Sequence, residues 1–149
     1  MARLGPHLVF DGFGCAPAPL EDLESLYGLL DGLPDRIHAQ RAAPPQVVRH
    51  GLPGLDAGLS GLVRITHGHV SVHTFPRRRF VTVDVCAGGD IDVEDALREL
   101  GAAFRPRRFE WKLLDHGAGI PRRPGDDPRR VHEDRRAVVS RVIRPGVSR

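Results

Sequence analysis

The sequence predicts an α+β fold in which an antiparallel sheet carries two main helices on one face. Three observations support this prediction: a central β-hairpin of alternating apolar residues, and one amphipathic helix on either side of it. Because each helix presents a single apolar stripe, we expect both to cover one sheet face and to leave the other to water, a ligand or a second subunit. The length of 149 residues suits one domain with a substantial core.

The elements are expected in the order strand, helix, strand, hairpin, helix, strand. Leucines at three- and four-residue spacing predict the first helix between Pro19 and Pro34, and Asp92 is a good N-cap for the second. The remaining strands are expected at residues 8–13, around Val47 and Val48, and at 109–114. We expect residues 1–120 to form the domain and 121–149 an Arg/Pro-rich tail or peripheral extension, with 137–143 as a short helix or strand.

Composition restricts the class of protein. No apolar run approaches the roughly 20 residues of a membrane helix. The first residues do not show a charged head followed by an apolar stretch, so we expect no signal peptide and a cytoplasmic protein. Cys15 and Cys86 are then expected to be free thiols. The net charge is +3, but acidic residues interleave the late arginines and aromatic residues are sparse, which argues against nucleic acid as a partner.

The hairpin predicts a row of polar side chains on one sheet face. We expect one strand from Leu62 to Phe75, a loop at residues 76–79 and a second strand from Phe80 to Cys86. This register places Phe75 opposite Phe80, Ser71 opposite Asp84 and His69 opposite Cys86. One face then collects valines and is expected in the core. The other face is expected to collect His67, His69, Ser71, His73, Asp84 and Cys86.

This polar row suggests a transition-metal site. His67 and His69 lie two residues apart, so on a strand their Cα atoms are about 6.5–7 Å apart and both side chains can reach one ion. His73 lies about 13 Å from His69 along an extended strand, so a third ligand would come from Cys86 or Asp84. Zinc and iron accept these donors. The alternative is that the row lines a ligand cleft or a dimer interface.

The same segments resemble a known family. Residues 61–76, GLVRITHGHVSVHTFP, resemble the signature E-S-H-[LI]-S-[IV]-H-T-[WF]-P-E of the prokaryotic S-adenosylmethionine (AdoMet) decarboxylases. Residues 83–90 resemble the D-[VI]-F-[ST]-C segment that follows it in the family. Residues 7–15, 30–37 and 109–117 are similar to its first strand, the end of its first helix and its last strand. The resemblance spans roughly residues 5 to 122 and implies a two-layer sandwich and a homodimer.

The resemblance also implies a chemistry that this sequence lacks in part. The family cuts its own chain between Glu and Ser of E-S-H, and the Ser becomes a pyruvoyl group that serves as electron sink for decarboxylation. His69, Ser71 and His73 are retained and are the expected catalytic residues. His67 stands at the Glu position, whereas Gly68 and Gly88 stand at the Ser and Cys positions. Glycine has no hydroxyl group, so we expect no pyruvoyl there.

The resemblance further implies how a ligand is held. Asp11 stands where the family places an acidic residue suited to a cationic group, and Asp11 and Phe75 are the expected substrate-binding residues. The aromatic residues of the family's P-P-Y-V-F loop are replaced at residues 44–48. The ligand is therefore expected to be AdoMet, an amine or an amino-acid-like molecule.

Three hypotheses follow. The first is a repurposed enzyme of polyamine or secondary metabolism, which uses a metal held by His67 and His69. The second is a metal-free pseudoenzyme that binds a ligand or regulates a partner. The third is a conventional self-processing decarboxylase, against which Gly68 argues directly.

Overall fold

A computed structural model describes residues 5–52, 56–115 and 140–143. Its strands are β1 (Pro6–Phe13), β2 (Gln46–His50), β3 (Gly58–Ile65), β4 (Gly68–Phe75), β5 (Phe80–Cys86), β6 (Arg108–Asp115) and β7 (Ser140–Ile143). Its helices are α1 (Pro17–Glu21), α2 (Leu23–Arg36) and α3 (Val93–Phe104), and a 3-10 turn covers Pro76–Arg78. Within these ranges no helix is both long and apolar enough to span a membrane.

The strands form one antiparallel sheet in the order β2-β3-β4-β5-β1-β6-β7. The first strand of the chain therefore lies inside the sheet, between β5 and β6. The helices pack on one face, where their leucines meet the buried residues of β1, β3, β4 and β5. These contacts confirm the predicted α+β architecture. Strand β7 forms one edge of the sheet, and the remainder of the predicted tail lies outside the described residues.

Two aspartates set the beginnings of the main helices. The Asp22 carboxylate accepts hydrogen bonds from the backbone N–H groups of Glu24 and Ser25, and Asp92 accepts from Asp95 in the same way. The cap on α3 was predicted, but the cap at Asp22 was not. A single helix from Pro19 to Pro34 was therefore wrong, because Asp22 ends α1 and begins α2.

The predicted strand from Leu62 to Phe75 is also wrong, because it is two strands. Residues 66 and 67 form the turn between β3 and β4, and Ile65 pairs with Gly68 across it. His67 has a left-handed backbone with φ of 59°. It therefore lies in a turn, and the strand spacing assumed for His67 and His69 does not apply.

The pairing of β4 with β5 confirms the predicted register. Phe75 lies opposite Phe80, Ser71 opposite Asp84, and His69 opposite Cys86. All the valines predicted for the core face are buried, namely Val70, Val72, Val81, Val83 and Val85. Since side chains alternate along a strand, the residues between them must face away from the helices.

Thr74 is the one buried polar residue among those the structure describes. Its hydroxyl donates a hydrogen bond of 2.7 Å to the carbonyl oxygen of Leu20 and accepts one of 2.8 Å from the N–H of Leu59. The side chain thus supplies a hydrogen-bond partner both to a carbonyl group in the last turn of α1 and to an N–H group at the beginning of β3. It ties a helix to two strands at the centre of the core.

Thr74→Val retains the shape of the side chain but leaves both backbone groups buried without a partner. Each unsatisfied group costs about 1–3 kcal/mol, so we expect the free energy of unfolding to fall by about 2–5 kcal/mol in urea titrations. Thr82→Val on the opposite sheet face is the matched control, with an expected change below about 1 kcal/mol. Equal losses in the two variants would contradict this role of the Thr74 hydroxyl.

Candidate functional site

The sheet face opposite the helices carries the residues of chemical interest. This open face is defined by the half-buried or exposed residues that alternate with the core residues of β1, β3, β4, β5 and β6. Its members include His7, Asp11, Phe13, Ser60, His69, Ser71, His73, Phe75, Phe80, Thr82, Asp84, Cys86, Arg108 and Glu110. Every predicted site residue except His67 is among them.

His73 forms a hydrogen-bonded pair with a residue that sequence reasoning missed. Its Nδ1 atom lies 2.8 Å from the Ser60 hydroxyl oxygen, across the β3–β4 pairing. The pair places an imidazole and a hydroxyl group side by side on the open face, where they can exchange a proton with a bound ligand. Ser60 lies opposite His73 only because the chain turns at Thr66 and His67. The prediction of one continuous strand did not include this turn.

A second imidazole pair lies on the central strands. The Nε2 atom of His7 is 2.7 Å from Oδ1 of Asp84. An ionised carboxylate only accepts hydrogen bonds, so Nε2 carries the hydrogen and the carboxylate fixes the orientation of the ring. Asp84 was predicted as a metal ligand, whereas His7 was not predicted as a site residue. The two residues are 77 positions apart in the chain, and only the β1–β5 pairing brings them together.

Cys86 lies on the open face beside these groups. Burial, and after it the negative charge of Asp84, raises the pKa of the Cys86 thiol. The thiol is therefore neutral at physiological pH, and the more reactive thiolate is disfavoured. Cys15 is buried in the core, where burial raises the pKa of its thiol to about 11. Both cysteines are free thiols.

The predicted metal ligands do not converge in this arrangement. Within the described ranges, one trio of His, Cys, Asp or Glu side chains has ligand atoms all within 4.8 Å of one another: His38, Asp92 and Asp95. That trio lies at the beginning of α3, where the Asp92 carboxylate already accepts the N–H of Asp95. No three of His67, His69, Asp84 and Cys86 meet the same distance. A metal held by these residues stays a prediction.

Aromatic rings cross one end of the open face. The ring centroids of Phe75 and Phe80 lie 5.7 Å apart, and those of Phe80 and Phe13 lie 5.2 Å apart. The His50 ring is 5.4 Å from that of Phe75 at one end of the row. At the other end the Arg108 guanidinium lies 4.1 Å from the centre of the Phe13 ring. This aromatic row offers a surface on which a planar or apolar group can stack.

Carboxylates lie next to the aromatic row. Asp11 is directly opposite Glu110 in β6 and Thr82 in β5, one pleat away from Phe13. Glu110 forms an ion pair with Arg108. Asp11, one of the two predicted substrate-binding residues, thus lies on β1 between Phe13 and His7, and it is level with His73 two strands away. A cationic group bound near Asp11 would meet its carboxylate and have an apolar surface beside it.

The residues at the position of the family's pyruvoyl group do not fit that group. Gly68 supplies no hydroxyl, and a Cβ atom there would collide with the carbonyl oxygen of Cys86 and lie 2.8 Å from the carbonyl carbon. The neighbouring backbone therefore excludes any side chain at residue 68. The Thr66 hydroxyl lies in the turn, 3.5 Å from the carbonyl oxygen of Gln40.

Comparison with known proteins shows which protein family this chain matches. Residues 6–117 match the family model described as S-adenosylmethionine decarboxylase. The S-adenosylmethionine decarboxylase proenzyme of Thermodesulfovibrio yellowstonii is 31% identical over 114 residues, which cover 76% of this chain and 77% of that protein. The proenzyme of Thermomicrobium roseum is 27% identical over 118 residues, or 78% of this chain and 97% of that protein.

A solved structure shows the same fold. The adenosylmethionine decarboxylase of Aquifex aeolicus superposes with a TM-score of 0.63 at 21% identity, over 85% of this chain and 100% of that one. The family model covers the described domain from β1 to the end of β6, and the 31% identical relative matches most of the chain, so these two similarities establish the family. The chain belongs to the S-adenosylmethionine decarboxylase family.

Proposed function

We propose that this protein is an uncleaved enzyme of the family, which binds a small cationic substrate on the open face and acts on it without a pyruvoyl group. The observation that carries the proposal is a combination within one sheet. Gly68, the first residue of β4, has neither the hydroxyl nor the space for a side chain, whereas two hydrogen-bonded imidazoles, His7 and His73, lie on the open face. The candidate substrates are AdoMet, an amine or an amino-acid-like molecule.

The imidazole pairs supply the chemistry of the proposal. His73 with Ser60, and His7 with Asp84, each combine a proton-carrying ring with a hydrogen-bonding partner that holds it in place. His69 and Ser71 lie on the same strand as His73 and face the same side. These groups can remove a proton from a bound substrate or return one to it.

Asp11 and the aromatic row supply recognition. The Asp11 carboxylate pairs with an ammonium or sulfonium group, and the rings of Phe13, Phe75 and Phe80 take the apolar or planar part of the ligand. The family relationship favours a role in polyamine or secondary metabolism, in the cytoplasm. A homodimer built on the open face belongs to the same proposal, since the described helices all pack on the other face.

A metal-dependent form of the enzyme is the second candidate. One observation favours it: His69 lies directly opposite Cys86 on the open face, so the two side chains leave the sheet side by side. Zinc or iron would need further ligands from Asp84 or His67, and rotation of their side chains. In that form the ion would act as a Lewis acid on the bound substrate.

The purified protein is expected to remain one chain. Intact-mass spectrometry should show a single species near 16.4 kDa, and a denaturing gel should show one band. The reason is that self-cleavage in this family proceeds through a hydroxyl that Gly68 lacks. Two fragments whose masses sum to the whole chain would contradict the proposal and favour a conventional decarboxylase.

Isothermal titration with AdoMet and with 1,3-diaminopropane tests recognition. At least one of these probes is expected to bind, and Asp11→Asn should weaken its binding about tenfold or more, since a charge-assisted hydrogen bond contributes roughly 1.5–3 kcal/mol. Asp35→Asn, an exposed change on α2, is the matched control and should leave affinity unchanged. Failure of both probes to bind, or equal effects of the two variants, would contradict this assignment of Asp11.

Metal analysis separates the two forms of the enzyme. If the open face holds an ion, protein incubated with zinc and desalted should retain about one zinc per chain, and His69→Ala should abolish it. His38→Ala is the control, because His38 belongs to the trio on the helix side of the molecule. Loss of zinc in the His38 variant alone would place the ion at that trio. Protein that retains no zinc would contradict the metal-dependent form of the enzyme and support the metal-free form.

A further inference from the structure

Three of the departures from the family's signature segments lie against one another in the fold. His67, Gly68 and Gly88 stand at the positions of the family's Glu, Ser and Cys. In the structure His67 forms the turn before β4, Gly68 is the first residue of β4, and Gly88 follows the end of β5. We call these three residues the turn cluster. If an activity were lost through unrelated substitutions, the new residues would not be expected to pack against one another.

Gly88 is shaped to accept His67. A Cβ atom at residue 88 would overlap the Cβ atom of His67 and lie 3.2 Å from its Cγ atom and its carbonyl oxygen. Among the described glycines, only Gly14 and Gly51 have a positive φ. Residue 88 is therefore glycine for reasons of space and not of backbone conformation.

Gly68 is held against backbone from the same segment. Besides its collision with the Cys86 carbonyl, a Cβ atom at residue 68 would lie 3.1 Å from the Cα atom of Ala87. On the other side of that segment, a Cβ atom at Gly5 would overlap the Ala87 carbonyl oxygen and lie 2.7 Å from the Gly89 nitrogen. The Ala87 N–H donates a 3.2 Å hydrogen bond to the Pro6 carbonyl. Residues 86–89 are thus enclosed between the beginnings of β1 and β4.

We infer that the turn cluster is one coupled packing unit, in which the former cleavage position has become a closed structural joint. The loss of the serine and the loss of the cysteine are then a single remodelling, because His67 needs a glycine at residue 88 and the enclosed segment needs one at residue 68. Restoring the missing functional groups by substitution would not restore self-cleavage. The coupling depends only on steric packing, so it does not depend on which ligand the open face binds.

The two glycines differ in what blocks them. At residue 88 the closest obstacle is a side chain. Shortening His67 to glycine removes its Cβ and Cγ atoms, leaves the 3.2 Å contact with the carbonyl oxygen, and also suits the positive φ of that residue. At residue 68 the obstacle is a backbone carbonyl, which no side-chain change removes. The structure therefore predicts rescue of a substitution at residue 88 by His67→Gly and no rescue at residue 68.

A double-mutant cycle with thermal unfolding tests the coupling. Gly88→Ala is expected to lower the midpoint by roughly 5–10 °C, because it overpacks the joint. In a His67→Gly background the same substitution should lower it by less than about 3 °C. Gly68→Ala should be as damaging in either background. Gly89→Ala is the matched control, since no atom lies within 4 Å of its Cβ position, and should shift the midpoint by less than about 2 °C.

Two results would overturn the inference. The first is a Gly88→Ala variant as stable as Gly89→Ala, or one that loses the same stability with and without His67. The second is cleavage in the variant His67→Glu/Gly68→Ser/Gly88→Cys, which carries the three residues of the family signature. Mass spectrometry of total cell protein should show that variant as an intact chain even where it folds poorly. Neither measurement uses a ligand, so its failure is distinct from failure of the proposed function.

Discussion

Burial of one face of the central strands is the constraint on which the rest of the structure depends. The valines of β4 and β5 leave only one register in which all of them reach the core, because a slip of one residue would turn every side chain over. The same register places His69 beside Cys86 on the open face, and the pairing of β3 with β4 places His73 beside Ser60. The site is therefore a consequence of the core, and its residues need no helix or loop of their own to position them.

The end of that sheet lacks room for side chains at two positions where the family signature has Ser and Cys. At Gly68 and Gly88 the chain approaches itself so closely that neither position has room for a Cβ atom. His67 can occupy its left-handed turn only because Gly88 leaves that room. The space beside Gly68 is occupied by the backbone of Cys86, and the space beside Gly88 by the Cβ and Cγ atoms of His67.

Much of the fold could be predicted from local patterns, and the missed parts share a cause. The cap at Asp92 and the register of β4 with β5 depend on neighbours in sequence, whereas the pairs His7–Asp84 and Ser60–His73 depend on strands brought together by the whole topology. The turn at His67 did leave a signal. Buried Ile65 and Val70 are five residues apart, an odd number, so one continuous strand could not bury both. Reading that change of phase would have moved His67 off the strand.

The groups that remain on the open face limit the kinds of reaction the site can support. Gly68 has no hydroxyl from which a carbonyl electron sink could form, so in the proposed enzyme an electron pair released at the substrate would be taken up by the substrate itself, by a leaving group or by a bound ion or cofactor. Imidazoles at residues 7 and 73 can move the accompanying proton, and Asp11 can hold a cationic group in place. A sulfonium substrate would carry its own leaving group and would need no electron sink from the protein. For the proposed enzyme without a pyruvoyl group, this favours proton transfer coupled to elimination or displacement over decarboxylation.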